Sequence, residues 1–320
     1  MTLLPAVIPA PALQVDLRAD LEAAASYLVR EKAPATRRAY SSDVAQFASW
    51  CDKRGLVALP ARPETVAVFL ASQANDGVKA ATLSRRVAAI RDAHHAQGLE
   101  SPTHAERVKA IVRGIRRTIG TAQAKKAPAT AEVVLAMVQV APNTLRGLRD
   151  RALILLGFAG AFRRSELAGL AVSDLEEVGE GLRVTLRRSK TDQEGAGRVV
   201  PIPRGSVACP VAATRAWLDA AAISQGPVFR SLGKGGRVLP RALSTRSIGM
   251  IVQRYAKRLG LNPQEFGGHS LRAGFLTSAA ARGANLFRLM DQSGHKSVET
   301  VRGYVRRAEE FKDHAGAGLL

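Results

Sequence analysis

From about Leu17 to Gly120, apolar residues recur every three or four positions, with no strand-like alternation breaking the pattern. That spacing gathers them on one stripe of a helix, so the first third can bury its apolar surface only as a small helical bundle. After Pro34, Tyr40, Val44, Phe47 and Trp50 or Cys51 fall on one face, and Gly55 stops the run. A shorter helix begins near Pro63, since proline suits a first turn. The next stretch places Leu83, Val87 and Ile90 inward, with Arg85, Arg86 and Arg91 outward. The last places Val108, Ile111, Val112 and Ile115 on one face.

Residues 120–130, GTAQAKKAPAT, are small, polar and basic and read as a linker. Thr130 is a plausible N-cap for the first of two helices, over about Ala131–Val140 and Leu145–Phe162. The segment GLRVTLRRSKTDQEGAGRVVPIP alternates on both sides of a glycine-containing turn, which predicts a β-hairpin with Lys190 near its tip. Helices resume at about Val211–Ala222, Ser244–Leu259, His269–Arg282, Leu286–Met290 and from Val298 onward. The fold class is mainly α with a small β-hairpin or sheet (α+β).

Lysine and arginine outnumber aspartate and glutamate 47 to 27, a formal charge of +20. Such an excess attracts polyanions at long range, and nucleic acid is the leading partner. Seven basic residues and no acidic one lie between Arg107 and Lys126, which suggests a strap along a phosphate backbone. Two distant cysteines, Cys51 and Cys209, fit a reducing compartment rather than a disulfide framework. The segment MTLLPAVIPAPALQV lacks a basic n-region and carries three prolines, so it reads as a flexible tail, not a signal peptide. A cytoplasmic protein without membrane contact is expected.

Five separated patches then collect polar groups where periodicity alone would predict filler. They are Arg163 with Glu166 in AGAFRRSEL, Lys190, His269 with Arg272 in GGHSLRAGF, His295 in SGHKS, and Tyr304 in VRGYVRR. Each alone has an ordinary explanation: the first could be a surface ion pair contributing at most about 1 kcal/mol. Together, two arginines, a lysine and two histidines make a cationic, donor-rich pocket suited to a phosphodiester. No carboxylate cluster for magnesium and no His/Cys set for zinc accompanies them, so no metal or other cofactor is expected. Tyrosine can attack phosphorus directly and store the bond energy for religation.

With these residues in this order, the chain resembles the tyrosine recombinases, the family of phage integrases, Xer-type proteins and Cre, over roughly Arg149–Arg307. GAFRRSEL looks like the first arginine box, SK the hairpin lysine, HSLR the His-x-x-Arg box, SGHKS the last His or Trp position and VRGYVR the nucleophile box. The resemblance implies that Arg163 and Arg272 clamp the scissile phosphate, Lys190 protonates the leaving 5′ oxygen and His269 accepts the Tyr304 proton or donates to the phosphate. It further implies that His295 hydrogen-bonds the phosphate, that Glu166 orients its neighbours and that Tyr304 forms a 3′-phosphotyrosyl bond. It divides the chain into a tail (1–16), a helical core-type DNA-binding domain (17–119), a basic linker (120–130), a catalytic domain (131–307) and a C-terminal tail (308–320) that docks on a neighbouring subunit. About 16 residues before the first helix leave no room for a separate arm-binding domain, which favours a Cre-like or Xer-like system.

The implied function is site-specific recombination of double-stranded DNA at an inverted-repeat site by a homotetramer, a pair of dimers, without metal or ATP. Arg37, Arg38, Arg85, Arg86 and Arg246 are the candidate DNA contacts, at phosphate or guanine edges. Alternatives are a topoisomerase-like or telomere-resolving strand transferase, and a catalytically silent architectural DNA-binding protein. Removing the residues after Arg307 is expected to leave site binding intact and impair synapsis, measured by gel shift and recombination on paired sites. Unchanged recombination would remove the docking idea.

Overall fold

The computed structural model describes residues 13–122, 126–187 and 197–308. The chain divides into two units, residues 1–123 and 124–320. Lys190 and residues 309–320, with most of the expected C-terminal tail, lie outside the described residues.

The first unit is helical: α1 (Leu13–Arg30), α2 (Pro34–Asp52), α3 (Pro63–Asn75), α4 (Ala80–Ala96) and α5 (Glu106–Ile119). The tail expected to reach residue 16 gives way to helix at Leu13, directly after the last of its prolines has passed. Pro34 and Pro63 occupy first turns, where a missing N–H costs nothing. Phe47, Trp50 and Cys51 from α2 meet Val66, Phe69 and Leu70 from α3, closed by Leu83, Ile90 and Val108. Phe69 is central, 4.9 Å from the Phe47 ring and 5.4 Å from the Trp50 ring in tilted and edge-on geometries.

One expected outward residue is inside. Arg86 lies on the same stripe of α4 as Leu83 and Ile90 and is buried. It bonds Gln73 and Gln46 and approaches the buried Asp43 at 3.7 Å. Arg85 also spends its guanidinium on Asp43, at 2.7 and 3.1 Å, although half of its side chain stays exposed. A buried carboxylate must be paired, and Asp43 recruits both arginines. Arg86 is therefore a core ion-pair residue, not an outer-face one.

The second unit opens with residues 126–130, the end of the expected linker, packed on its surface. Ala127 and Ala129 donate backbone hydrogen bonds to Glu265 O (2.7 Å) and Ser270 O (2.9 Å), and Ala129 is fully buried. There follow α6 (Ala131–Gln139), α7 (Leu145–Ala159) and α8 (Arg164–Gly169). Thr130 stands at the N-cap of α6 but its side chain makes no cap bond; Ser278 Oγ accepts from Ala131 N instead, at 2.9 Å. The helix expected to run to Phe162 ends at Ala159, because Ala161 takes φ 47° and Phe162 N turns back to Gly157 O.

The hairpin forms as β2 (Gly181–Leu186) and β3 (Arg198–Pro203), preceded by β1 (Leu175–Val178), with order β1-β2-β3, all antiparallel. Val184 faces Val200 and Leu182 faces Ile202, so the alternation buries one face. The first strand was not anticipated, since LEEV is too short and polar to signal itself. Next come α9 (Pro210–Ala220), the two-stranded pair β4 (Arg230–Leu232) and β5 (Val238–Ala242), α10 (Thr245–Arg258), α11 (Gly268–Ala281), α12 (Leu286–Ser293) and α13 (Val298–Ala308).

Helix α7 is buried along Ala152–Leu156 and forms the spine of this unit's core. Trp217 of α9 is fully buried and donates to Val228 O at 2.8 Å. Behind α7, Tyr255 donates to the buried Asp150 at 3.2 Å, and Arg149 and Arg254 pair with the same carboxylate. Burial first, then Asp150, pushes the Tyr255 phenol up to about 12.

Gly274 is where α11 meets the 126–130 segment. A Cβ there would stand 1.7 Å from the Ala129 carbonyl oxygen, a backbone atom that cannot swing aside. Gly274→Ala is expected to destabilise the protein by roughly 1–3 kcal/mol, as overpacking does. Urea denaturation followed by circular dichroism reads this directly, and an unchanged midpoint would contradict the close approach.

Candidate active site

Four of the five sequence patches converge in the second unit; the fifth, Lys190, lies outside the described residues. The sharp turn after α7 delivers the first. Phe162 is buried as an anchor, and Arg163 caps α8. The Glu166 carboxylate accepts from Arg163 N at 2.8 Å and from its Nη1 at 2.6 Å. Both side chains are largely buried, 16% and 2% exposed, which rules out the surface ion pair. The remaining edge of Arg163 reaches Gly294 O, with Nη2 at 3.4 Å.

The second arrives on α11. Gly267 N donates to Ser270 Oγ at 3.0 Å and fixes the start of that helix. His269 and Arg272 then share a face, as i and i+3 positions must. Arg272 is 1% exposed, and its Nη1 donates to Ala161 O at 2.7 Å, the carbonyl freed by the turn after α7. Burial first, then Arg163, draws its guanidinium down to about 10, still charged at neutral pH.

His295 follows Gly294, which ends α12 in the left-handed region at φ 64°. Ser293 Oγ donates to Leu289 O at 2.6 Å and lies 2.7 Å from His295 Nδ1. That leaves the hydroxyl oxygen to accept from Nδ1–H, and Arg272 Nη2 lies 3.2 Å from Nδ1 and 3.0 Å from Nε2, against the ring rather than in line with one nitrogen. This is the neutral imidazole, and burial, then Arg272 and Arg163, holds its pKa down at about 3.

Tyr304 comes from α13, which packs Val301 and Tyr304 on Leu276, Ala280 and Leu289. Its hydroxyl lies 3.1 Å from His269 Nε2 of the same chain. Burial raises the phenol pKa, with Arg272 drawing the other way. Burial, then Arg272, Arg163 and Arg164, lowers that of His269. A neutral imidazole therefore faces a protonated phenol, the state from which a proton can pass from oxygen to nitrogen.

One further guanidinium stands here that residue spacing did not single out. Arg198 opens β3 on the inward side shared with Val200 and Ile202. It packs on Gly294, and its pKa is drawn down by burial and by Arg163, with Glu166 pulling the other way. A charge at an inward register position was the available signal, masked by the arginine-rich run around it. Among the described residues, no group of three or more His, Cys, Asp or Glu side chains is placed to hold a metal ion. Arg37, Arg38 and Arg246 are exposed on their helices and away from this cluster in sequence. No helix among the described residues is long and apolar enough to cross a membrane.

The phage integrase family model matches residues 129–310, and that of the phage integrase N-terminal SAM-like domain matches 25–98. An integrase/recombinase xerD homolog of Selenomonas ruminantium is 40% identical over 294 residues, 90% of this chain and 86% of that protein. The tyrosine recombinase XerD of Rhizobium meliloti is 28% identical over 88% of each chain. In fold, the chain is similar to the XerH site-specific recombinase in a post-cleavage complex with palindromic difH substrate. That match has a TM-score of 0.66 and 17% identity, covering 88% of this chain and 80% of the other. The lambda integrase dimer bound to a COC′ core site gives a TM-score of 0.57 at 18% identity, over 93% and 81%. With the matched models spanning both helical bundle and arginine-lined pocket, the chain belongs to the phage integrase family and is a tyrosine recombinase.

Proposed function

We propose that this recombinase cuts and rejoins double-stranded DNA at a specific site through a 3′-phosphotyrosyl intermediate on Tyr304, with neither metal nor ATP. The observation that carries the reading is the 3.1 Å approach of His269 Nε2 to the Tyr304 hydroxyl beside Arg272 and His295. In the forward step His269 takes the phenolic proton while the Tyr304 oxygen bonds to phosphorus. The P–O5′ bond breaks, its electron pair stays on the 5′ oxygen, and Lys190 supplies the proton. Return attack by a 5′ hydroxyl restores the phosphodiester and frees the tyrosine, so bond energy is conserved without a nucleotide cofactor.

Arg163 and Arg272 bind the non-bridging oxygens, and their hold tightens as charge builds on them. The guanidiniums supply the charge neutralisation that a metal would otherwise provide. Glu166 fixes Arg163, and His295, packed against Arg272 Nη2, hydrogen-bonds the phosphate. The helical unit serves as core-type DNA-binding domain, with Arg37 and Arg38 on its surface and Arg246 on the catalytic unit as phosphate or base contacts. The site is an inverted repeat bound by a homotetramer, a pair of dimers; the palindromic substrate of the XerH complex supports the repeat. A hairpin-forming or topoisomerase-like outcome of the same chemistry has no separate observation in its favour.

Covalent trapping tests this reading. Nicked suicide duplexes incubated with the full chain in EDTA and denatured in SDS are expected to retain protein on the 3′ phosphate. Tyr304→Phe should give none while binding duplex normally; adducts from that variant would move the nucleophile elsewhere.

The acid side of the rate profile tests His269. Its pKa in the folded protein lies below the ordinary 6.5, so the acid-side fall in cleavage rate has its midpoint below 6.5. The rate should fall only at lower pH, where the imidazole protonates. A midpoint at or above 6.5, with folding monitored by circular dichroism, would remove His269 as the acceptor. The same depression makes acid destabilising. Below 6.5 the unfolded chain binds protons that native His269 and His295 refuse, so stability declines toward about pH 3.

A further inference from the structure

Arg198 is not needed for the chemistry just described, yet it is built into its back wall. Its Nη1 donates to Asp291 O and Gln292 O, both at 3.1 Å. These carbonyls belong to the last turn of α12, where helical partners run out. Its guanidinium lies against Gly294 so closely that a Cβ there would be 2.9 Å from Cζ and Nε. On the other side, Arg163 Nη2 reaches Gly294 O. The peptide at Gly294 is thus gripped between two guanidiniums, and the next residue is His295.

Packing alone does not call for an arginine at this position. Nε and Nη2 of Arg198 are buried with no hydrogen-bond partner among the described residues. Leaving a buried donor unsatisfied is destabilising, a cost that an apolar side chain of similar length would avoid. A second tie already holds β3 to α12, because Gln292 Nε2 donates to Pro201 O at 3.1 Å and to Ala159 O at 2.8 Å. The guanidinium of Arg198 is committed to the α12 carbonyls and to Gly294, so its effect passes through those neighbours.

We propose that Arg198 is a positioning residue for the phosphoryl transfer. It links strand β3 of the hairpin to the α12 turn at Gly294 and so sets His295 against the Arg272 guanidinium. Strand β3 and the turn that carries His295 are thereby tied together, and a shift of β3 moves His295 against Arg272. The effect on catalysis rests on the phosphotyrosyl reading; the effect on His295 does not.

The test uses the full chain in two arms. Single-turnover cleavage of nicked suicide duplex is measured for wild type, Arg198→Met, His295→Ala and the double variant. Histidine ring resonances of the DNA-free protein are followed by NMR across pH, with His295→Ala identifying the signal. Arg198→Met is expected to slow cleavage by roughly 100-fold, as ångström-scale misplacement does, with duplex affinity little changed. The double variant should be no slower than the slower single, since both substitutions break one path. The His295 signal should move, and its titration midpoint should rise from about 3 as a neighbouring positive charge leaves.

Cleavage at the wild-type rate, rate losses that multiply in the double variant, or an unmoved His295 signal would each overturn the proposal. Should Arg198→Met fail to fold, Arg198→Lys keeps charge and donors but not the flat guanidinium on Gly294. It should show the same changes in smaller degree, and wild-type behaviour in both arms would be equally fatal. Absence of any adduct from the wild type would instead remove the phosphotyrosyl reading, leaving the NMR arm to decide on Arg198.

Discussion

Arg272 holds together the parts of the chain that make the site. It rises from α11 into an interior where it is 1% exposed, and its two terminal nitrogens reach outward to Ala161 O and to His295. The first contact fixes the turn that carries Arg163; the second fixes the turn ahead of α13, which carries Tyr304. A guanidinium suits this work because its donors are rigid and diverge in one plane. Without it, three elements distant in sequence would have no common polar anchor, and the carbonyl of the left-handed Ala161 would lose its 2.7 Å donor.

The cost of that arrangement is electrostatic. Arg163, Arg198 and Arg272 all act on one another through a low-dielectric interior, with Glu166 as the carboxylate among them. Burial and mutual repulsion draw Arg198 and Arg272 below the usual guanidinium range, and the same field suppresses protonation of His269 and His295. Surplus buried positive charge costs the free protein stability. The neutral histidines follow from this excess: a pocket of arginines keeps nearby imidazoles unprotonated and thus able to accept.

Basic residues elsewhere divide into those that face solvent and those consumed by the fold. Asp43, 1% exposed, binds Arg85 and Arg86 together and takes the second of them out of reach of any ligand. Arg149 is spent in the same way on Asp150. A net charge of +20 therefore overstates the cationic surface, and the residues that remain exposed, Arg37, Arg38 and Arg246 among them, carry the argument for DNA contact.

Apolar periodicity was enough to identify the longer helices of both units and the β2–β3 hairpin, because burial of one face is written directly into residue spacing; the short α8 and the β4–β5 pair carry too few residues to show it. The order of the arginine, histidine and tyrosine boxes was likewise legible, as was the pairing of His269 with Arg272, since i and i+3 neighbours on a helix cannot avoid sharing a face. What spacing cannot report is the partner opposite that face. Arg86 looked like solvent-facing charge until Asp43, from a helix earlier in the chain, was placed beside it. Arg198 looked like one more basic residue near a hairpin tip until α12 closed over it. Ala127 and Ala129 read as linker because nothing local reveals that α11 leaves a glycine-sized groove for them. The sequence by itself determined which elements form and which chemical groups are available. Tertiary structure alone decided which charges are buried, which are spent on one another, and which converge beside Tyr304, because those outcomes depend on desolvation by residues far away along the chain.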